Sequence, residues 1–340
     1  MNSIYGMVRQ DNPYILQVRV PVPYPLQYVN AYLIQGDSGW TVLDPGIHSP
    51  EALELWEGVF RTLGIGFGQL ERIVLTHHHP DHYGLAGYFQ HKSGAPVFLS
   101  EWGRRQADDL WGNGDEAARR LWRLFRQHGM DAPMADAMLP HMAGFVELVS
   151  PRPETAPIQS GDMLQLGDGL WEAVETGGHA AGHMSFYRKE TGEMFCGDAV
   201  LPRISPNIGY MPGVEEDPLA SFLEGLRHLG EYAVERAYPG HRDSFQGFAK
   251  RCCELIAHHD RRLGQMEERI GAGPCTAYEC CTGLFGTRLT VHQFRFAMSE
   301  TLAHLIHLEG QGRIRREERQ GAVVFFGASR NPTASSLLRR

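Results

Sequence analysis

The sequence predicts an α/β layered fold followed by a second, mainly helical unit, and three observations carry that prediction. Short β-rich runs separated by Gly and Pro alternate with helical patterns in the first half, at residues 15–20, 29–34, 40–43, 73–75 and 97–99. The spacing predicts helices at 50–63 and 84–92 between some of these strands, and the strand pattern resumes over 162–175 and 184–196. After Phe245 the chain reads as mostly helical through Ile270, where the GAGP run at 271–274 breaks it.

The remaining elements follow from the same patterns. Residues 101–142 form a helical, Arg- and Trp-bearing insert between two strand blocks, placed where a lid over a site or a peripheral helical hairpin would lie. A further helix is expected over 290–308, where Phe294, Met298, Leu302, Leu305 and Ile306 fall at helical spacing, followed by short strand-like runs at 314–316 and 323–326. Helices ending in a small hairpin resemble a winged-helix arrangement. Residues 1–248 are therefore read as one domain, 249–327 as a winged-helix-like domain, and 328–340 as a flexible tail.

Composition excludes several classes. With 42% hydrophobic and 21% charged residues the chain is neither disordered nor fibrous. Its start lacks the pattern of a secretory leader and no apolar run could span a bilayer, so a cytoplasmic protein without a membrane partner is expected. The six cysteines include no C-x-x-C pair and are read as buried or idle thiols. The net charge of -8 is unevenly shared: residues 1–248 hold 18 Lys+Arg against 31 Asp+Glu, and residues 249–340 hold 14 against 9. A basic C-terminal part could meet nucleic acid or another acidic partner, or be merely a solvated face.

Chemistry is to be sought among the 17 histidines. The run Thr76-His77-His78-His79-Pro80-Asp81-His82 follows a strand-like segment, so its side chains emerge where a strand ends. His77 and His79 are two apart and can point the same way, Pro80 restricts the backbone, and Asp81 and His82 follow at once. One loop can thus give two imidazoles to one metal and a carboxylate with an imidazole to another. Filling two shells needs further donors. Gly178-His179, Gly197-Asp198 and Gly240-His241 supply them, each after an extended piece and beside a glycine.

This ordered set, H-x-H-x-D-H followed by single His, Asp and His residues, resembles the metallo-β-lactamase superfamily. The resemblance includes Asp44 in Val42-Leu43-Asp44-Pro45-Gly46, the early aspartate that in the family is buried beside the metal loop and orients it. It implies a four-layer αββα sandwich with its site at one edge of two facing sheets. It also implies that His77, His79 and His179 bind a first metal ion, that Asp81, His82 and His241 bind a second, and that Asp198 bridges them. His183 is then a supporting residue beside the ligands, like Asp44, and His78 points away from the metals.

The reaction expected is hydrolysis, with two divalent ions activating a bridging hydroxide and Asp81 and Asp198 as the catalytic carboxylates. The shell suits zinc, iron or manganese, and the resemblance favours zinc. A small ester or thioester is the leading substrate, with apolar residues of the insert (Leu110, Trp111, Leu121, Trp122 and Phe125) as its acyl pocket. The segment Ala199-Val200-Leu201-Pro202 lacks the tyrosine that lactone-cleaving members carry after the bridging aspartate, which argues against lactones. The C-terminal part resembles a winged-helix region appended to one branch of the superfamily. That branch includes small-ester or thioester hydrolases and members acting on single-stranded RNA, so an endoribonuclease is the alternative. A non-catalytic metal-binding regulator is the third reading, and a homodimer through residues 250–326 is a further expectation.

Overall fold

The computed structural model describes residues 6–112 and 114–328; residues 329–340 of the expected tail lie outside them. Strands β1 (Val8–Asn12), β2 (Ile15–Pro21), β3 (Tyr28–Gln35), β4 (Trp40–Leu43), β5 (Leu70–Val74), β6 (Val97–Ser100) and β7 (Thr155–Ile158) form one sheet in sequence order. The neighbours are antiparallel through β4 and parallel from β4 to β7. A second sheet has the order β12-β11-β10-β9-β8, from β8 (Met163–Leu166), β9 (Gly169–Thr176), β10 (His183–Arg188), β11 (Glu193–Gly197) and β12 (Arg236–Pro239). Only its β11–β12 pair is parallel.

Three apolar clusters define the layers. Tyr32, Leu43 and Val74 of the first sheet meet Trp171, Phe186, Phe195 and Tyr238 of the second, all buried, which is the alternation expected of two sheets packed face to face. On the outer side of the first sheet, Val18, Leu33 and Ile73 pack against α1 (Pro50–Leu63) and α3 (Ala86–Ser93) through Trp56, Val59 and Phe89. On the outer side of the second, Val174 and Cys196 pack against Phe222, Leu223 and Leu226 of α7 (Pro218–Leu229). The αββα sandwich is thus present. A short helix, α2 (Pro80–Tyr83), starts directly after His79.

The insert consists of α4 (Glu101–Trp111), α5 (Glu116–Gln127) and α6 (Ala132–Ala143). Ser100 and Asp131 start α4 and α6 by accepting from the backbone N–H groups of Gly103 and Met134, satisfying donors that a helix start leaves open.

Beyond β12 come α8 (Phe248–Gly271), β13 (Cys275–Thr276), α9 (Ala277–Phe285) and α10 (Val291–Gly310). The chain then forms the hairpin β14 (Ile314–Arg319) and β15 (Ala322–Gly327), with β15 central in a three-stranded sheet. Helix α8 buries Cys252, Leu255, His259, Leu263, Met266 and Ile270 at spacings of three or four, a single stripe facing α7 and α10. Thr276 with Glu279 and Thr290 with Gln293 close reciprocal capping boxes at the starts of α9 and α10. Helix α10 buries residues on most of its circumference, from Phe294 to Leu308, so it is a core helix rather than a surface one.

Candidate metal centre and its cavity

All the predicted donors lie beyond the C-terminal ends of strands: Asp44 after β4, the 76–82 segment after β5, His179 after β9, Asp198 after β11 and His241 after β12. Because β4–β5 and β11–β12 run parallel, these ends open at one edge of the sandwich. Two glycines allow the approach. A Cβ on Gly240 would sit 2.2 Å from Asp198 Oδ1 and 2.7 Å from His82 Cε1. Gly178 has φ +87°, and a Cβ there would meet Phe222 at 2.3 Å.

The structure brings all seven donors together in two groups. The ligand atoms of His77, His79 and His179 lie within 4.8 Å of one another, as do those of Asp81, His82 and His241. Asp198 reaches both: its Oδ2 is 3.6 Å from His179 Nε2 and 3.4 Å from His241 Nε2, and its Oδ1 is 3.6 Å from His82 Nε2.

Hydrogen bonds fix which ring nitrogen faces inward. His82 donates from Nδ1 to Asp44 Oδ2 at 2.9 Å, His179 to the Asn207 carbonyl at 2.8 Å, and His241 to the Tyr28 carbonyl at 2.9 Å. Each bond puts the proton on Nδ1 and leaves the Nε2 lone pair directed at the centre, as an imidazole ligand requires. Thr76 Oγ1 donates to Asp44 Oδ2 at 2.7 Å and so accepts from His77 Nδ1 at 2.9 Å, which sets the same tautomer there. His79 instead turns Nδ1 inward, 3.0 Å from His77 Nε2.

Asp44 holds this loop by both carboxylate oxygens, since Oδ1 accepts from the Thr76 backbone N–H at 2.7 Å. It does so from a left-handed backbone conformation, φ 51°, which an Asp tolerates better than most side chains. His183 lies beneath the cluster, accepting from the Asp198 backbone N–H at 3.1 Å through Nε2 and meeting Thr176 Oγ1 at 3.0 Å through Nδ1. His78 faces the neighbouring cavity, and its ring takes no part in either group.

Electrostatics divide the cluster. Burial, with His82 and His79 close by, holds His77 well below the usual histidine range, and His79 behaves alike beside His179. Burial also opposes charge at the other group, yet His241 and His82 pull Asp198 well below the carboxylate range. Conversely, Asp198 and Asp81 outweigh burial at His241 and push it up to about 10.

The buried carboxylates of Asp81 and Asp198 are balanced here only by protons on His82 and His241, whose place cations can take. Two further features ask for the same thing. His77 Nε2 and His179 Nε2, both bearing lone pairs, face each other at 3.3 Å, and the buried His82 Nε2 and Asp198 Oδ1 have no hydrogen-bond partner. Imidazoles and carboxylates in this number fit a pair of divalent ions.

The residues 24–241 match the family model of the metallo-β-lactamase superfamily, and 263–329 match that of a metallo-β-lactamase-like C-terminal domain. The chain belongs to the metallo-β-lactamase superfamily. A relative in Bacillus subtilis (strain 168), the probable metallo-hydrolase YqjP, is 27% identical over 92% of this chain and 97% of its own. The crystal structure of the metallo-β-lactamase family protein TTHA1429 from Thermus thermophilus is 34% identical. It covers 93% of this chain and 99% of that one, with a TM-score of 0.83. An atrochrysone carboxyl ACP thioesterase of Emericella nidulans is 24% identical over 70% of this chain and 59% of its own. The chain is thus a metallo-hydrolase of this superfamily.

A cavity of about 500 Å³ opens from the ligands of this metallo-β-lactamase centre. The insert lines it with Gln106, Leu110 and Trp111 of α4. Leu121 and Phe125 of α5 do not reach it: they are buried in the core that joins the second sheet to the C-terminal helices, and Trp122 packs beside them and donates to Asp136. Helical periodicity marks such residues as inward-facing without saying which interior they enter.

Sequence reasoning also missed two larger contributors, the 201–215 segment and the C-terminal part, which adds Phe285, Leu289, His292, Arg295, Phe296 and Glu300 among others. The signal available was an arginine set between Phe294 and Phe296 in a mainly buried helix pattern. Burial lowers the Arg295 pKa to about 10, which leaves it cationic at neutral pH. The cysteines form no group with other metal-ligating residues among the described residues, and five of the six are buried. Among the described residues no helix is long and apolar enough to cross a membrane.

Proposed function

We propose that this metallo-hydrolase cleaves a small ester or, preferentially, an acyl thioester, using two divalent ions, zinc in the first instance. His77, His79 and His179 would hold one ion, Asp81, His82 and His241 the other, and Asp198 faces both. Such ions supply an activated water at neutral pH and polarise the electrophile. The residues do the rest. The Nδ1 bonds made by His82, His179 and His241 hold the donor set rigid, and Asp198 Oδ1, which accepts no hydrogen bond, would orient the attacking water.

The observation that carries the substrate class is the cavity. Tyr24, Trp111, Phe145, Met211, Phe285 and Phe296 make an apolar chamber directly over the ligands, suited to an acyl chain and to excluding bulk water. The thioesterase name of one relative agrees with this reading.

The RNA alternative needs a basic track facing solvent. The arginines of the C-terminal hairpin are instead engaged by acids, Arg316 with Glu309 and both Arg315 and Arg319 with Glu317. Helix α10, the third helix of the winged-helix-like unit, is spent on the core and the cavity. The test is parallel turnover of an acyl N-acetylcysteamine thioester and a labelled single-stranded RNA by metal-loaded protein, each with a chelator control. Chelator-sensitive thioester cleavage with intact RNA supports the reading. RNA cleavage with an inert thioester replaces it with the endoribonuclease, and neither activity returns the regulator.

A further inference from the structure

Five side chains lining the cavity are Asp, Glu, Lys or Arg: Asp81, Asp198, Glu215, Arg295 and Glu300. Each acid has a partner. Asp81 and Asp198 face His241 Nε2, both at 3.4 Å. Glu215 accepts from the Gly178 backbone N–H at 3.1 Å, and Glu300 from Asn207 Nδ2 at 2.9 Å. Arg295, the one base, differs. No ion pair to it exists among the described residues, its buried Nε has no hydrogen-bond partner, and its Nη1 meets only the weak acceptor Met142 Sδ at 3.5 Å. The rings of Phe145 and Phe296 lie 5.3 and 4.2 Å from its guanidinium carbon. They cover apolar surface of the planar group without satisfying its N–H edge.

Asp81 favours its charge from a distance without an ion pair, so the part-buried guanidinium keeps N–H donors that face the cavity for a ligand to complete. The neighbouring wall cannot: Tyr24 stacks on His292 with ring centroids 4.5 Å apart, and burial beside Arg295 holds His292 down to about 4. It is a neutral surface at physiological pH.

We infer that Arg295 is a specificity-determining residue that receives a carboxylate on the far end of the acyl chain, so that the preferred substrate is the thioester of a dicarboxylic acid. The inference rests on the thioesterase reading for its scissile bond, but the anion subsite stands on Arg295 and its surroundings. A guanidinium offers paired N–H donors in the geometry of a carboxylate, and in a site closed by aromatic rings that pairing is strong. An uncharged chain of equal length would leave the fork unpaired.

The test uses the full chain, metal-loaded, and two matched pairs of probes. Glutaryl and pentanoyl N-acetylcysteamine thioesters report turnover, and the corresponding non-cleavable thioethers report binding by titration calorimetry. The wild-type protein should favour the carboxylate-bearing member of each pair by about tenfold or more, in kcat/KM and in Kd. Arg295→Met should bring both ratios close to one, and Arg295→Lys should restore part of each.

Tighter binding of the anionic thioether with neither thioester cleaved would keep the subsite and remove the thioesterase reading. Cleavage of both thioesters at equal kcat/KM, with equal thioether affinities, would overturn the subsite and leave the thioesterase intact. The wild-type ratios decide the matter even if Arg295→Met fails to fold.

Discussion

His179 Nδ1 lies 2.8 Å from the main-chain carbonyl of Asn207, and the side chain of Asn207 in turn donates to the Phe296 carbonyl at 3.2 Å and to Glu300 Oε2 at 2.9 Å. A metal-facing imidazole from the sandwich is therefore held by a loop that is itself fastened to α10. Asn207→Ala keeps the carbonyl but frees the loop, so the ligand loses its fixed orientation. Loss of such a supporting bond lowers metal affinity by about 10- to 100-fold. Competition for zinc against a chelating dye should show this, and an affinity within twofold of wild type would mean that the tie to α10 does not matter.

Asp44 makes three bonds to the metal loop, to the Thr76 backbone, the Thr76 hydroxyl and His82. Asp44→Asn is the informative change, because Asn accepts the left-handed backbone as readily and replaces one acceptor oxygen by an N–H₂ that faces donors. A lost bond with a buried donor unsatisfied should cost about 1–3 kcal/mol of stability. Denaturant unfolding of the metal-free protein isolates that cost from metal binding; an unchanged midpoint would show that the loop stands without the carboxylate.

The donor set was legible in the sequence because five of its members need no tertiary knowledge. Four crowd one loop, and His179 follows a strand and a glycine. The strand ends supply the rest, since parallel pairing forces Asp198 and His241 to the same edge. The cavity could be read only in part: Leu110 and Trp111 line it as expected, and the rest of its wall was out of reach. Leu121 and Phe125 have the same periodicity as any buried helical residue, and nothing local says that they join the core shared with the C-terminal helices rather than face a ligand. Arg295 enters the site across more than 200 residues of chain from His77, through packing of α10 that only the folded protein specifies.

Gly240 is constrained by distance alone. Its missing side chain makes room for Asp198 Oδ1 and His82 Cε1, at 2.2 and 2.7 Å from where a Cβ would stand. The backbone is pinned on both sides, with the Gly240 N–H donating to the Gly197 carbonyl and its carbonyl accepting from Asn30, each at 2.7 Å. The neighbours cannot retreat, so Gly240→Ala should displace Asp198 and reduce bound metal from two ions per chain to one or none. Elemental analysis of the purified variant gives the stoichiometry; two tightly bound ions would show that the edge can yield.

His79→Ala removes one donor of the three-histidine group and leaves the sandwich core untouched, because the side chain faces the cavity edge. Turnover should fall by at least about a thousandfold, equivalent to about 4 kcal/mol of transition-state stabilisation. Far-ultraviolet circular dichroism should stay that of the wild type. Full activity with a normal spectrum would remove the three-histidine group from the chemistry.

Acid should loosen the contacts that the C-terminal part makes around its own buried histidines. Burial, with Arg316 nearby, lowers His128 to about 4 where it stacks on Phe325. Burial likewise lowers His304 to about 4, and His259, 3.0 Å from it between Nδ1 and Nε2, to about 2. These rings are neutral in the folded state, whereas in the unfolded chain they titrate near 6.5. Below that value the unfolded state binds the extra protons, so stability present above pH 6.5 falls as the pH drops toward the folded values. At pH 5 the penalty is roughly 2 kcal/mol for His128 and of the same order for the coupled His259–His304 pair. Hydrogen exchange between pH 7 and 5 should therefore accelerate in α8, α10 and β15. His128→Phe should lessen the effect at β15, and an acceleration there unchanged by the substitution would mean that this ring does not set the acid limit.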